Sequence, residues 1–262
     1  MTVVNYIAHI AKTHTKEMEE KYHDEILNSI RYTREYKDGC ANTLTSSNHQ
    51  SPFSGGKTKI RIIDTDSVTA LFTSEYEDSI AMLNFASYKN PGGRFIDGSR
   101  AQEEAICHES TLYNVLKEWD SKFYEPNRSR LNNALYHSNL LYVPSVVFER
   151  NDVVRTCDVI TCAAPNKGVA MRYKMASDEE YIKELTNRID AVLFSAYDNN
   201  IRCLILGAFG CGVFKNSPED VAKIFKMFID DKYAGVFKEI IFPIPKDNKN
   251  GNLKVFRDIF NK

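Results

Sequence analysis

The stretch that decides the fold is SIAMLNFASYKNPGGRFIDGSRAQEEA, residues 79–105. An apolar run suited to a strand ends at Phe85, Pro91-Gly92-Gly93 breaks the chain, and helix-forming residues begin at Gln102. Strand, glycine loop and helix in that order make one βα unit. The same grammar recurs on either side. Residues 59–63 (KIRII), 140–148, 158–162, 203–206 and 239–242 read as strands. Residues 102–119, 179–197, 218–229 and 253–260 read as helices. The first carries Ile106, Tyr113 and Leu116 toward a core, and the second carries Ile182, Leu185, Ile189, Val192 and Leu193 at helical spacing. Strands alternating with covering helices predict an α/β domain with a buried sheet. Ligands of such sheets sit at the carboxyl ends of strands, so the loops after strands carry the search for function.

Upstream, residues 6–37 are charged and proline-free, with Met18, Tyr22, Ile26 and Ile30 on one helical stripe. Residues 38–57, rich in Ser, Thr, Asn and Gly, read as a connection. The predicted organisation is therefore a helical extension and loop over 1–57, followed by the main domain over 58–262. The 262 residues suffice for a sizeable core, and 43% apolar with 26% charged residues is ordinary for a globular protein. A net charge of −1 gives no global attraction to a nucleic-acid backbone, so no direct nucleic-acid binding is expected. No apolar run approaches the ~20 residues of a membrane span, and the N-terminus has no secretory pattern. Six scattered cysteines without a CxxC pair point away from zinc and disulfides, toward reduced thiols in the cytoplasm.

Two loops carry the chemistry. In the first, Ser99 followed by Gln102 reads as a capping box, and Glu103 and Glu104 fall in the first helical turn. Adjacent on a helix, the two glutamates are expected to face different parts of a ligand. The second loop is LGAFGCGVFKN, residues 206–216, whose Gly207, Gly210 and Gly212 let backbone approach a ligand closely. Its N–H groups can cradle a diphosphate without a lysine. Taken singly, paired glutamates at a helix start usually complement the helix dipole, and a glycine loop is usually a tight turn. Together they place an anion cradle beside an acid, which is what glycoside cleavage next to a diphosphate requires.

These residues resemble a known family. NFAS…NPGG…QEE over residues 84–104, GAFGCGVFKNSP over 207–218 and VITCAAPN over 159–166 look like the bacterial-type poly(ADP-ribose) glycohydrolases, a catalytic branch of the macrodomains. The resemblance spans roughly residues 59–242. It implies a three-layer α/β macrodomain with a mixed central sheet, here behind an N-terminal helical extension. It implies Glu104 as catalytic acid, Glu103 orienting the scissile ribose, Gln102 supporting the pair and Asn84 holding the distal ribose. Asn90, Gly92 and Gly93 of the first loop join the binding set. Gly207, Ala208, Phe209, Gly210, Cys211, Gly212, Val213 and Phe214 would wrap the diphosphate, with Phe214 packing on the ligand, and Asp66 would read the adenine amine. Water activation would be assisted by the substrate's own diphosphate. The implied partner is ADP-ribose or poly(ADP-ribose), including polymer carried on protein, with no metal and no cofactor.

One departure stands out: Arg94 occupies the third glycine position of the family's first loop. It could contact phosphate or block the backbone approach. A non-catalytic ADP-ribose reader and a mono(ADP-ribosyl) hydrolase are the rival readings, and the intact Gln102-Glu103-Glu104 triplet favours an enzyme. Other motifs fail. Gly55-Gly56-Lys57-Thr58 lacks a P-loop's first glycine and precedes a strand, residues 210–215 lack the last glycine of a dinucleotide fingerprint, and Cys107-His108 diverge along a helix. His137, among small polar residues, reads as structural or surface.

Overall fold

The structure, a computed structural model, describes residues 3–44, 56–246 and 251–261. Among them seven strands form one sheet: β1 (Arg34–Tyr36), β2 (Lys59–Ile63), β3 (Ile80–Phe85), β4 (Leu140–Arg150), β5 (Val153–Cys162), β6 (Cys203–Ile205) and β7 (Glu239–Pro243). Their order is β1-β4-β5-β3-β6-β7-β2. The run from β5 to β2 is parallel, while β4 pairs antiparallel with both β5 and β1. β4 and β5 form a hairpin whose turn residues, Asn151 and Asp152, are both left-handed, as a tight two-residue turn requires. The sheet is mixed, as expected, and both hairpin strands run longer than their apolar cores predict.

Helices cover both faces. One layer contains α1 (Val3–Lys21), α2 (His23–Tyr32), α3 (Ser67–Phe72), α4 (Gln102–Cys107), α5 (Leu112–Leu116) and α6 (Glu125–Ser129). The other contains α7 (Lys167–Arg172), α8 (Asp178–Asp198), α9 (Pro218–Asp230) and α10 (Asn252–Phe260). Strand alternation divides the core between them. Met82, Val159 and Ile205 pack with Ile106 and Val115, whereas Leu83, Ile160 and Leu204 pack with Leu185, Val192 and Phe225. Ile182 of α8 is exposed, and Tyr181 takes the core position beside it.

One expectation is corrected. The helix predicted over 102–119 breaks after Cys107, because the chain there bridges to β4: Thr111 N–H donates to the Val147 carbonyl at 2.9 Å, and Ser110 pairs with Phe148. Local periodicity cannot register a strand partner so distant in sequence. The N-terminal segment packs into the domain. Ala11, Met18, Tyr22 and Ile26 share a core cluster with Met82 and Val143, and β1 is an edge strand of the sheet. The predicted connection contains a 3₁₀ turn (Cys40–Thr43), and its residues 45–55, including Gly55 of the P-loop imitation, lie outside the described residues.

Candidate active site

Parallel pairing runs out on one side of β3 before the strand ends. Its register with β6 stops at Met82, whereas pairing with β5 continues to Phe85. The Leu83 carbonyl and Phe85 N–H therefore lack strand partners, and buried backbone groups must be satisfied. Gln102 supplies both: Nε2 donates to Leu83 O and Oε1 accepts from Phe85 N, each at 2.8 Å. The expected Ser99 capping box is absent. The helix starts after Ala101 with no side-chain cap, because the Gln102 amide is engaged with the sheet. This clamp seats the first turn of α4 against the end of β3.

Both glutamates are consequently buried, Glu103 at 3% and Glu104 at 5% exposure. Glu103 accepts from Ser87 N–H at 2.7 Å and from Asn84 Nδ2 at 3.2 Å. Glu104 Oε1 accepts from Arg94 N–H at 2.9 Å, while Oε2 has no partner. The pair does not diverge as expected from helix spacing. Both carboxylates converge under Gly93, where a Cβ would stand 2.5 Å from Glu104 Oε1 and 2.8 Å from Glu103 Oε2. With φ at +62°, Gly93 is required twice over. Burial pushes the Glu103 carboxyl up to about 8 against the pull of its Ser87 and Asn84 hydrogen bonds, and the neighbouring Glu104 adds to the rise.

These carboxylates border a cleft of about 750 Å³, a volume suited to a small-molecule ligand. From the first loop Asn90, Gly93, Arg94, Gln102, Glu103 and Glu104 line it. From the second come Ala208, Gly210, Gly212, Val213 and Phe214. Among the described residues, the backbone N–H groups of Gly210, Gly212, Val213 and Phe214 donate to no other residue. A run of unengaged donors in cleft-lining residues is a cradle for an anion. Val213 is 78% exposed at the rim of this loop.

Other expected ligand contacts sit behind the cleft. Asn84 is fully buried beneath Glu103 and touches Thr161, so it reaches a ligand only through Glu103. Gly92 packs on Tyr113, Gly207 on Phe85, and Phe209 against the Phe85 ring at 5.7 Å; Cys211 is buried too. These four shape the loops from within. Asp66 does border the cleft, but its carboxylate caps α3, accepting from Thr69 N–H at 2.8 Å and Thr69 Oγ1 at 2.6 Å. Arg94 has φ outside the positive region, and its exposed side chain pairs with Asp97 at 3.4 Å. His108 lies against the Phe95 ring rather than with Cys107, and His137 pairs with Asp38 at the surface. Among the described residues no cluster of His, Cys, Asp or Glu could hold a metal ion.

The structure adds contributors that the sequence reading missed. Pro243 at the end of β7, with Ile244, Pro245 and Asn252 beyond it, walls the cleft, where the rule of strand carboxyl ends could have placed them. Arg188 is fully buried in α8 and donates to Ser138 Oγ, Leu135 O and Ala163 O. It thereby fastens residues 132–136, four of them left-handed, beside the cleft-lining Ala164. The one sequence signal was an arginine at a core-spaced position of an amphipathic helix, three residues after Leu185.

A family model for the microbial-type PARG catalytic domain matches residues 2–151. Among solved structures, poly(ADP-ribose) glycohydrolase from Thermomonospora curvata is similar at 28% identity, with TM-score 0.87, over 98% of this chain and 100% of that one. The same enzyme bound to the inhibitor ADP-HPD matches at 28% identity with TM-score 0.84, over 97% and 99%. Poly(ADP-ribose) glycohydrolase from Deinococcus radiodurans in complex with ADP-ribose matches at 28% identity with TM-score 0.77, over 90% and 97%. No curated protein matches the chain.

Proposed function

The chain belongs to the family of microbial-type PARG catalytic domains and is a poly(ADP-ribose) glycohydrolase, and we propose that Glu104 is the general acid that breaks its ribose–ribose bonds. One observation carries this reading: two buried carboxylates converge beneath Gly93 at the wall of a cleft whose opposite loop offers unengaged N–H donors.

The residues divide the work. Burial, with the adjacent carboxylate adding to it, raises Glu103 to about 8, so the site retains a proton near neutrality. Glu104 Oε2, without a protein partner, delivers a proton to the leaving ribose oxygen as oxocarbenium character develops at the anomeric carbon. The Arg94 N–H on Oε1 fixes the carboxyl plane for that transfer. Glu103, held by Asn84 and Ser87, orients the ribose hydroxyls. Residues 210–214 receive the diphosphate through main-chain N–H groups, and Phe214 packs on the ligand. Asp66, whose lone pairs are not exhausted by Thr69, accepts from the adenine amine. A reducing, cytoplasmic setting follows from the spacing of the six cysteines, which form no CxxC pair. Separately, no helix among the described residues is long and apolar enough to cross a membrane.

The test is release of free ADP-ribose from poly(ADP-ribose), with Glu104→Gln as the partner experiment. Removing general-acid catalysis should cut turnover by roughly 10²–10⁴-fold. ADP-ribose affinity by calorimetry should stay close to wild type. A variant that still releases ADP-ribose at the wild-type rate would remove Glu104 from the acid role.

A further inference from the structure

Beside the cradle loop lies a surface that the reaction at Glu104 does not use. Gly168, in the first turn of α7, donates its N–H to the Phe214 carbonyl at 2.9 Å, so α7 is bonded directly to the cleft wall. The stem of Lys215 lies across the same turn, its Cγ 3.1 Å from where a Gly168 Cβ would stand. Arg172 is one helical turn further along the same face. Tyr173 follows, 67% exposed, then Lys174, with Val169 one turn back from the tyrosine and also exposed.

The charges in two segments here are of one sign. Residues 163–177 and 203–218 contain no Asp or Glu, although acids and bases balance overall to −1. Lys167 is engaged, pairing with Asp220 at 3.7 Å and sitting over the Tyr181 ring at 4.2 Å. Arg172, Lys174 and Lys215 are exposed and have no partner among the described residues. Lys215 adjoins the loop and Arg172 follows along α7, with Tyr173 and Lys174 at the end of that helix, so three free cations and an exposed aromatic ring extend outward from the loop.

We propose that α7 and Lys215 form a track for the units of poly(ADP-ribose) beyond the one held in the cleft. This rests on the glycohydrolase reading above. A repeating diphosphate meets Arg172, Lys174 and Lys215, and a base stacks on Tyr173, the combination by which proteins hold flexible single-stranded polyanions. Tight hold on the single unit does not depend on the track, because the cradle uses main-chain donors.

The experiment compares wild type with an Arg172→Gln/Lys174→Gln/Lys215→Gln variant and, separately, Tyr173→Ala. Each is measured on free ADP-ribose by calorimetry, and on short and long size-fractionated poly(ADP-ribose) by product release, over a salt series. The triple variant should raise KM for long polymer by roughly tenfold at low salt, with a shallower salt dependence, as lost phosphate contacts dictate. Tyr173→Ala should raise it by about fivefold or more with the salt dependence unchanged. ADP-ribose affinity and short-polymer turnover should change less than about twofold, because main-chain N–H groups and not these side chains hold the single unit. Equal losses on short and long polymer, or no loss on either, would overturn the track, the second outcome assigning the patch to an acidic protein surface instead. Wild type that releases ADP-ribose from neither substrate would overturn the glycohydrolase reading itself, a distinct result.

Discussion

The two loops that face each other across the cleft are built on opposite plans. The first, between β3 and α4, spends its backbone on itself: Gly93 N–H returns to Asn90 O, Phe95 to Gly92 and Ser99 to Arg94. Its glycines are forced by what lies beneath, since a Cβ at Gly92 would come within 2.6 Å of the Tyr113 ring and one at Gly93 would strike the carboxylates. The second loop leaves donors unengaged, and Gly212 has nothing within 4 Å of its missing side chain. One loop holds two carboxylates in place, and the other leaves main-chain donors open to the cleft. Glycine content alone does not distinguish them, although their consequences for substitution are opposite.

The largest effect should come from breaking the closed loop. Gly93→Ala places a methyl group against both carboxylates and holds a non-glycine residue at φ +62°. A displacement of the acid by about an ångström costs on the order of 10²-fold in rate. The left-handed strain itself is only about 1–2 kcal/mol. Turnover on poly(ADP-ribose) should therefore fall far more than thermal stability. A variant that loses stability and activity in proportion would show that Gly93 serves the fold and not the acid.

The open loop sharpens the contrast. Gly212→Val meets no neighbour, so the melting temperature should hold, while its bulk beside unengaged N–H groups should weaken ADP-ribose binding by about tenfold or more. Gly210→Val is a different case. Its Cβ would run into the Asn216 amide and, at 2.5 Å, into Ala164, with φ at +71°. It should destabilise the domain as well as weaken binding. Calorimetry beside thermal melts separates the two positions. Normal ADP-ribose binding by Gly212→Val would place the diphosphate elsewhere.

Protonation gives a smaller effect, visible in stability. Glu103 titrates near its ordinary 4.5 in the unfolded chain and about 8 in the fold, so the folded state holds a proton that the unfolded state releases. Its contribution is complete below the lower value and is lost as pH rises through the upper one. Wild-type melting temperature should accordingly decline across that window more steeply than that of Glu103→Gln, which stays neutral throughout. Parallel declines in the two proteins would show that Glu103 is not the group responsible.

Much of this architecture was legible because it is local. The apolar runs of β2, β3, β6 and β7, the stripe of α8 and the glycine punctuation before α4 are periodic or compositional signals, and they fell where expected. The losses share a cause. The break after Cys107 depends on Val147 and Phe148 of β4, the Gln102 clamp on where β6 stops pairing, and the retreat of Asn84 behind Glu103 on Thr161 of β5. Each is decided by a residue far away in the chain. β1, a three-residue strand without an apolar run, exists because the edge of β4 is there to pair with it.

Arg94 is the position where the two loop plans can be told apart most finely, and the expected effect is small. A third glycine would be indispensable only if the backbone there were left-handed or a side chain would collide, as at Gly93. Neither holds: φ at Arg94 lies outside the positive region, its N–H already reaches Glu104, and its side chain is 75% exposed with the guanidinium paired to Asp97. The contribution to the acid comes from the main chain, which any residue supplies. Arg94→Gly should therefore change kcat by less than about twofold, and an exposed pair with Asp97 is worth at most about 1 kcal/mol. If the guanidinium instead swings to a ligand phosphate, Arg94→Ala should weaken ADP-ribose binding at low salt and converge on wild type as salt is added. If it obstructs the cleft, Arg94→Gly should turn over polymer faster than wild type. Salt-independent, near-wild-type kinetics in both variants is the outcome the geometry predicts, because at this position the closed loop contributes an N–H and nothing more.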